Sequence, residues 1–177
     1  MKMLDYAGNE MEFEACPSCE FAKHKFTLPC GMAYEDKLFT VSQDWELPIK
    51  GFFVIMPKRC VESLSELTEE ERVEAFSLAN EVIKILKSNN ICDRFNVLFE
   101  EKQNRHFHIW IMPRHKWMQE LVGGITKNIG KIFEYALNNL RTEENIKAIS
   151  DITKIVKTGL ERFNDKGDAN DERFDEK

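Results

Sequence analysis

The sequence predicts an α+β fold, and three observations predict it. Several short segments carry strand-like composition, one long segment between two of them has helical period, and two further helical patterns follow the last strand. The 177 residues, 42% of them apolar, suffice for one domain with a full core plus an appendage. Residues 1–115 are expected to form that domain, 116–163 a C-terminal helical extension, and 164–177, charged and almost without apolar residues, a disordered tail.

The elements follow in order. A polar, acidic opening leads to Cys16-Pro17-Ser18-Cys19. Met32 to Ser42 holds two β-prone runs broken at Glu35-Asp36-Lys37, a hairpin pattern. Asp44 to Lys50 contains Pro48 and has no period, so it reads as a loop. Phe52-Phe53-Val54-Ile55-Met56 is a continuous apolar run suited to a central strand covered on both faces. Thr68 with Glu71 three residues on makes a capping box for a helix from Glu69 to Ser88. Its expected inward stripe is Val73, Phe76, Ala79, Asn80, Val82, Ile83 and Leu86, and Asn89-Asn90 ends it. Arg94 to Glu100 is strand-like, and a polar turn leads into the strand from Arg105 to His115. Trp117 to Leu140 and Glu143 to Phe163 are then each expected to be one helix, packed on the domain or on a partner subunit.

Charge and cysteine usage narrow the function. A net charge of −6 argues against nonspecific binding to nucleic acid or to an anionic membrane, which both need a basic footprint. No signal-peptide pattern opens the chain and no apolar run approaches a membrane span, so a soluble cytoplasmic protein is expected. Five cysteines in such a chain point to thiols or thiolates rather than a disulfide framework. Alone, the Cys-x-x-Cys fits half a zinc site, a redox dithiol or two ordinary cysteines; the redox use lacks its strand before the motif.

Around His106-Phe107-His108-Ile109-Trp110-Ile111-Met112-Pro113, period two places Phe107, Ile109 and Ile111 on one face of a strand and His106, His108, Trp110 and Met112 on the other. Paired imidazoles on a strand are held by the pleat, a rigid mount for chemistry.

Three segments together resemble the histidine triad (HIT) superfamily. Gly51 to Leu67 is similar to its Gly-His-x-Leu-Val-Ile-Pro-Lys-x-His stretch, the strand from His106 is similar to the His-φ-His-φ-His triad, and Cys16-Pro-Ser-Cys19 matches the Cys-x-x-Cys that opens many bacterial members. The resemblance covers Phe13 to His115. It implies an antiparallel sheet with the long helix packed across it, commonly dimerising, so a homodimer is expected. It also implies nucleotidyl transfer or hydrolysis at an α-phosphate, on a dinucleoside polyphosphate, a nucleoside phosphoramidate or a similar substrate, with His108 as nucleophile. In the zinc-containing branch the metal positions map to Cys16, Cys19, Cys60 and His106; Cys60 stands where that branch has histidine, and Cys3His is an ordinary closed zinc set. Trp110 replaces the third triad histidine. The phosphate loop is replaced by a segment in which Lys102, Gln103 and Arg105 offer charge and donors, and Asp44 falls at the ribose-binding acidic position, where Ser42 and Gln43 replace the family's apolar neighbours. These departures keep a second expectation open: a HIT-derived nucleotide-binding or regulatory protein with a structural zinc site and weak turnover. Cys30, Cys92, His24 and His115 match no functional position.

Overall fold

The computed structural model describes residues 2–101 and 106–171. Its centre is an antiparallel five-stranded sheet in the order β3-β4-β5-β7-β6, built from β3 (Tyr34–Glu35), β4 (Phe39–Gln43), β5 (Phe53–Pro57), β6 (Phe95–Glu100) and β7 (His108–Pro113). Every residue of β5 is buried, as a doubly covered central strand requires. Its partners are fixed in register, with Val41 opposite Ile55 on one side and Ile109 opposite Ile55 on the other. The β3–β4 hairpin turns at Asp36, whose Oδ1 accepts the N–H groups of Leu38 and Phe39 at 2.6 Å each.

The long helix α2 (Glu69–Ser88) has the expected bounds and the expected capping box, with Thr68 Oγ1 accepting from Glu71 N and Glu71 Oε2 from Thr68 N. Asn89 caps it and Asn90, at φ 56°, turns the chain away. The inward face differs from expectation. Ala75, Leu78, Ala79, Val82, Ile85 and Leu86 are buried, whereas Val73 and Phe76 are 63% and 53% exposed. The apolar residues of α2 form two overlapping stripes, and packing against the sheet and α5 selects the one carrying small residues.

Beyond β7 the single helix expected over Trp117–Leu140 is divided. Helix α3 (Lys116–Val122) stops at Gly123, which adopts φ 69°, and after a 3-10 turn α4 (Ile129–Asn139) begins. Helix α5 (Glu143–Asp171) runs past the expected end at Phe163. It joins both sides of the sheet: Ile152, Val156 and Leu160 enter the cluster under α2, while Ile149 enters the cluster on the opposite face. At Gly159 the two helices approach so closely that a Cβ would lie 2.5 Å from Ile85 Cδ1.

The opening segment, expected only as polar chain, forms a hairpin of β1 (Lys2–Leu4) and β2 (Glu10–Glu12), followed by α1 (Pro17–Ala22). Tyr6, Met11, Phe13 and Phe21 anchor this region against Trp45, Val54 and Met56 on the sheet face opposite α2. No helix among the described residues is long and apolar enough to cross a membrane.

Candidate functional site

Three elements, α1, β5 and β7, bring Cys16, Cys19, Cys60 and His106 together. Cys16 caps α1 and Pro17 occupies its first turn, so one helical turn raises Cys19 beside Cys16. Cys60 follows β5, and His106 lies in the approach to β7 rather than on the strand, which begins at His108. The Phe107 N–H donates to Val61 O at 2.7 Å and ties the two approaches to each other. His106 is fully buried, and its Nε2–H donates to Pro57 O at 2.7 Å. A carbonyl only accepts, so Nε2 carries the proton and the lone pair of Nδ1 faces the sulfurs. Burial also lowers the His106 pKa, keeping the ring in the neutral form that binds metals.

Nδ1 lies 3.4 Å from Cys19 Sγ and 3.7 Å from Cys16 Sγ, and all four ligand atoms fall within 4.8 Å of one another. A tetrahedral zinc with ordinary bond lengths sets N···S edges of about 3.6 Å, so the cluster has the size and the donor chemistry of a closed zinc site. Burial, with the adjacent Cys60 and Cys16 thiols, pushes the Cys19 thiol up to about 12. Only a cation at the centre would reverse that tendency and draw out thiolates.

His108 opens β7 on the same side and is nearly buried. Its Nδ1–H donates to the His106 carbonyl at 3.1 Å, which leaves the lone pair on Nε2. His108, Trp110, Asp44, Trp45, Ser18 and Met3 line a cavity of about 80 Å³. Trp110 lies opposite Val54 in the β5–β7 ladder, with its ring centroid 5.5 Å from that of His108. Asp44 ends the run of β4 and is held by its loop: Oδ1 accepts the N–H groups of Leu47 at 2.9 Å and Glu46 at 3.1 Å. The polar neighbours that obscured this position in the sequence brace the same loop, since Gln43 Nε2 donates to Ile49 O and Ser42 Oγ accepts from Trp45 Nε1. Burial raises the Asp44 pKa to about 7, opposed by the two backbone hydrogen bonds, and also raises that of Glu46, which shares the cavity. None of the described residues lining the cavity is a lysine or arginine. Gln103 and Arg105, with Lys102, lie outside the described residues.

A groove of about 840 Å³ between α2 and α5 has no histidine or cysteine in its lining. The histidine of β7 and the buried Asp44 sit in the small cavity instead. The remaining candidates lie apart from it: Cys30 Sγ accepts from Tyr6 OH at 2.7 Å, Cys92 Sγ meets Arg94 O, His24 meets Glu35, and His115 Nε2–H donates to Lys50 O.

The HIT domain pattern matches residues 25–117, more than half of the chain. The protein belongs to the HIT family. Solved structures agree on the fold. A Zn-bound histidine triad family protein from Mycobacterium smegmatis is 15% identical with a TM-score of 0.59, covering 84% of this chain and 96% of that one. A Hit-like protein involved in cell-cycle regulation from Bartonella henselae is 14% identical with a TM-score of 0.60, covering 84% and 98%. A hypothetical histidine triad nucleotide-binding protein from Sulfolobus tokodaii is 20% identical with a TM-score of 0.56, covering 83% and 93%. No curated protein matches the sequence.

The HIT match begins after Cys19 and ends at Trp117, so two members of the four-ligand cluster and everything from α4 onward lie outside it. Sequence reasoning missed Met3, Ser18, Trp45 and Glu46 as walls of the His108 cavity. Ser18 carried a signal, since it sits between the two cysteines; Met3 carried none, because it arrives through a hairpin with no strand-like pattern.

Proposed function

We propose that this HIT protein is a nucleotide hydrolase or nucleotidyltransferase that works at an α-phosphate through a covalent nucleotidyl-His108 intermediate. The observation that carries the reading is the anchoring of His108: donation from Nδ1 to the His106 carbonyl fixes the tautomer, orients the ring and makes Nε2 the nucleophilic nitrogen beside the Asp44 cavity. In the first step a bond forms between Nε2 and phosphorus, and the bond from phosphorus to the leaving group breaks. Its electron pair departs with the leaving group, which takes up a proton. In the second step water attacks phosphorus, releases a proton, and the P–N electron pair returns to Nε2. Asp44, walling the same cavity, is placed to accept from a ribose hydroxyl, and Trp110 forms the wall beside the reacting phosphate.

Cys16, Cys19, Cys60 and His106 would hold a structural zinc that occupies all four of its positions with protein ligands and braces the segment entering β7. The homodimer expected of the family finds support in an apolar patch on one side: Val73 and Phe76 of α2 lie exposed near Val97 and Phe99 of β6, the edge strand of the sheet.

The test is turnover of adenylylated and uridylylated substrates by the purified protein and by His108→Ala. The expected result is loss of turnover in the variant with zinc content and melting temperature nearly unchanged, and an acid-labile nucleotidylated protein trapped only in the wild type. Activity surviving intact in His108→Ala refutes the assignment. One observation favours a second reading, a nucleotide-binding or regulatory protein with weak turnover. The cavity of about 80 Å³ is small beside the roughly 300 Å³ or more of ordinary ligand sites, and Trp110 fills the third triad position. Tight nucleotide binding without turnover would select it.

A further inference from the structure

Trp110 is shared by two apolar clusters, one built on the N-terminal region and one built on α3 and α4. Phe52 meets its ring edge-on at 5.7 Å and 85°, and Phe133 of α4 does so at 5.7 Å and 74°. Phe52 and Phe133 also lie 6.1 Å apart, so the three rings form a closed group. Edge-to-face contacts from two sides restrict how an indole can tilt, because the electropositive edge of one ring is drawn to the electron-rich face of the other. The indole N–H of Trp110 has no hydrogen-bond partner among the described residues, although its ring lines the cavity beside His108. The other indole in that cavity is committed: Trp45 Nε1–H donates to Ser42 Oγ at 3.1 Å. A half-buried donor without a partner, on a side chain that lines a cavity whose described walls carry no cation, is suited to an anionic acceptor supplied by a ligand.

We infer that Phe133 is a positioning residue for the nucleotide site: with Phe52 it holds the Trp110 indole beside His108, so that the indole N–H donates to a phosphate oxygen of the bound nucleotide. The inference rests on the nucleotide reading above and deepens it, because it makes a helix outside the HIT-matched region part of the site. Phe133 touches no substrate; it acts through Trp110.

The probe is AMP. In isotope-labelled protein the Trp110 indole N–H resonance is identified by its disappearance in Trp110→Phe, and it should move downfield as AMP is added. Trp110→Phe, which keeps an aromatic ring and removes the donor, should weaken AMP binding by about ten-fold or more, as expected for a hydrogen bond to a charged group. Phe133→Ala should weaken binding several-fold and reduce the indole shift, and Phe133→Tyr should restore both. Leu140→Ala, which loosens the same apolar cluster, should leave both unchanged. If Phe133→Ala does not fold, Phe133→Leu keeps the apolar bulk, removes the ring edge and carries the same expectation. AMP that moves the His108 ring signals but leaves the Trp110 N–H in place overturns the indole donor and spares the nucleotide reading. AMP that moves neither overturns the nucleotide reading and the inference with it. Equal losses from Phe133→Ala and Leu140→Ala reduce Phe133 to packing and overturn its positioning role.

Discussion

Asp44→Asn should make the protein more stable at neutral and alkaline pH while impairing its site. The Asp44 carboxyl is buried beside His108, and burial raises its pKa from 3.8 to about 7. The folded state therefore keeps the proton up to about 7, whereas the unfolded chain releases it near 3.8. Stability from this group is fully present below 3.8 and is lost as pH rises through 7. The loss amounts to (7 − 3.8) × 1.36, or about 4 kcal/mol, of which about 3 kcal/mol falls between about pH 4.5 and pH 8.5. Asparagine keeps an oxygen for the Leu47 and Glu46 N–H groups and does not ionise, so it escapes this loss. The assay is urea unfolding of wild type and Asp44→Asn across that pH range, because subtracting the two curves cancels every other titrating group. The variant should gain on the wild type by about 3 kcal/mol from acid to alkaline conditions, and its nucleotide affinity should fall. Parallel curves, or a variant less stable than wild type at about pH 8.5, would refute the claim that burial raises the Asp44 pKa to about 7.

Three further outcomes test the rest. Protein purified without added metal should carry about one zinc per chain; Cys60→Ala should lose it and melt roughly 5 °C or more lower, while Cys60→His should keep it, and metal-free wild type with freely titrating thiols would refute the site. Light scattering should find a dimer at tens of micromolar, converted to monomer by Phe76→Glu on the exposed face of α2, and a monomeric wild type would count against the interface. In Gly159→Ala the new Cβ would sit 2.5 Å from Ile85 Cδ1 and 2.7 Å from its Cγ1. Overpacking of about 1–3 kcal/mol should outweigh a helix-propensity gain of about 1 kcal/mol, and an unchanged or raised melting temperature would show that α2 and α5 do not pack that closely.

The sequence by itself determined whatever is decided by neighbours along the chain. Alternation over β7 placed Ile109 and Ile111 in the core under α2 and His108 and Trp110 on the opposite face. Thr68 and Glu71 set the start of α2, because a capping box is made within one turn. The ligand set of Cys16, Cys19, Cys60 and His106 was legible from its resemblance to a known pattern, and the fold brings it together. The tertiary structure alone decided what depends on distant partners. Which stripe of α2 turns inward was settled by α5 docking at Gly159, since local period establishes that a helix has an apolar face but not which of two overlapping faces meets the sheet. The division of the helix at Gly123 followed from a backbone state that other residues rarely adopt. Met3 and Phe133, separated from Trp110 by most of the N-terminal half of the chain and by a turn between helices, reached the site only because a hairpin and α4 fold back over the same sheet face. Contacts of that kind arise from packing between elements, and no window of sequence contains both partners.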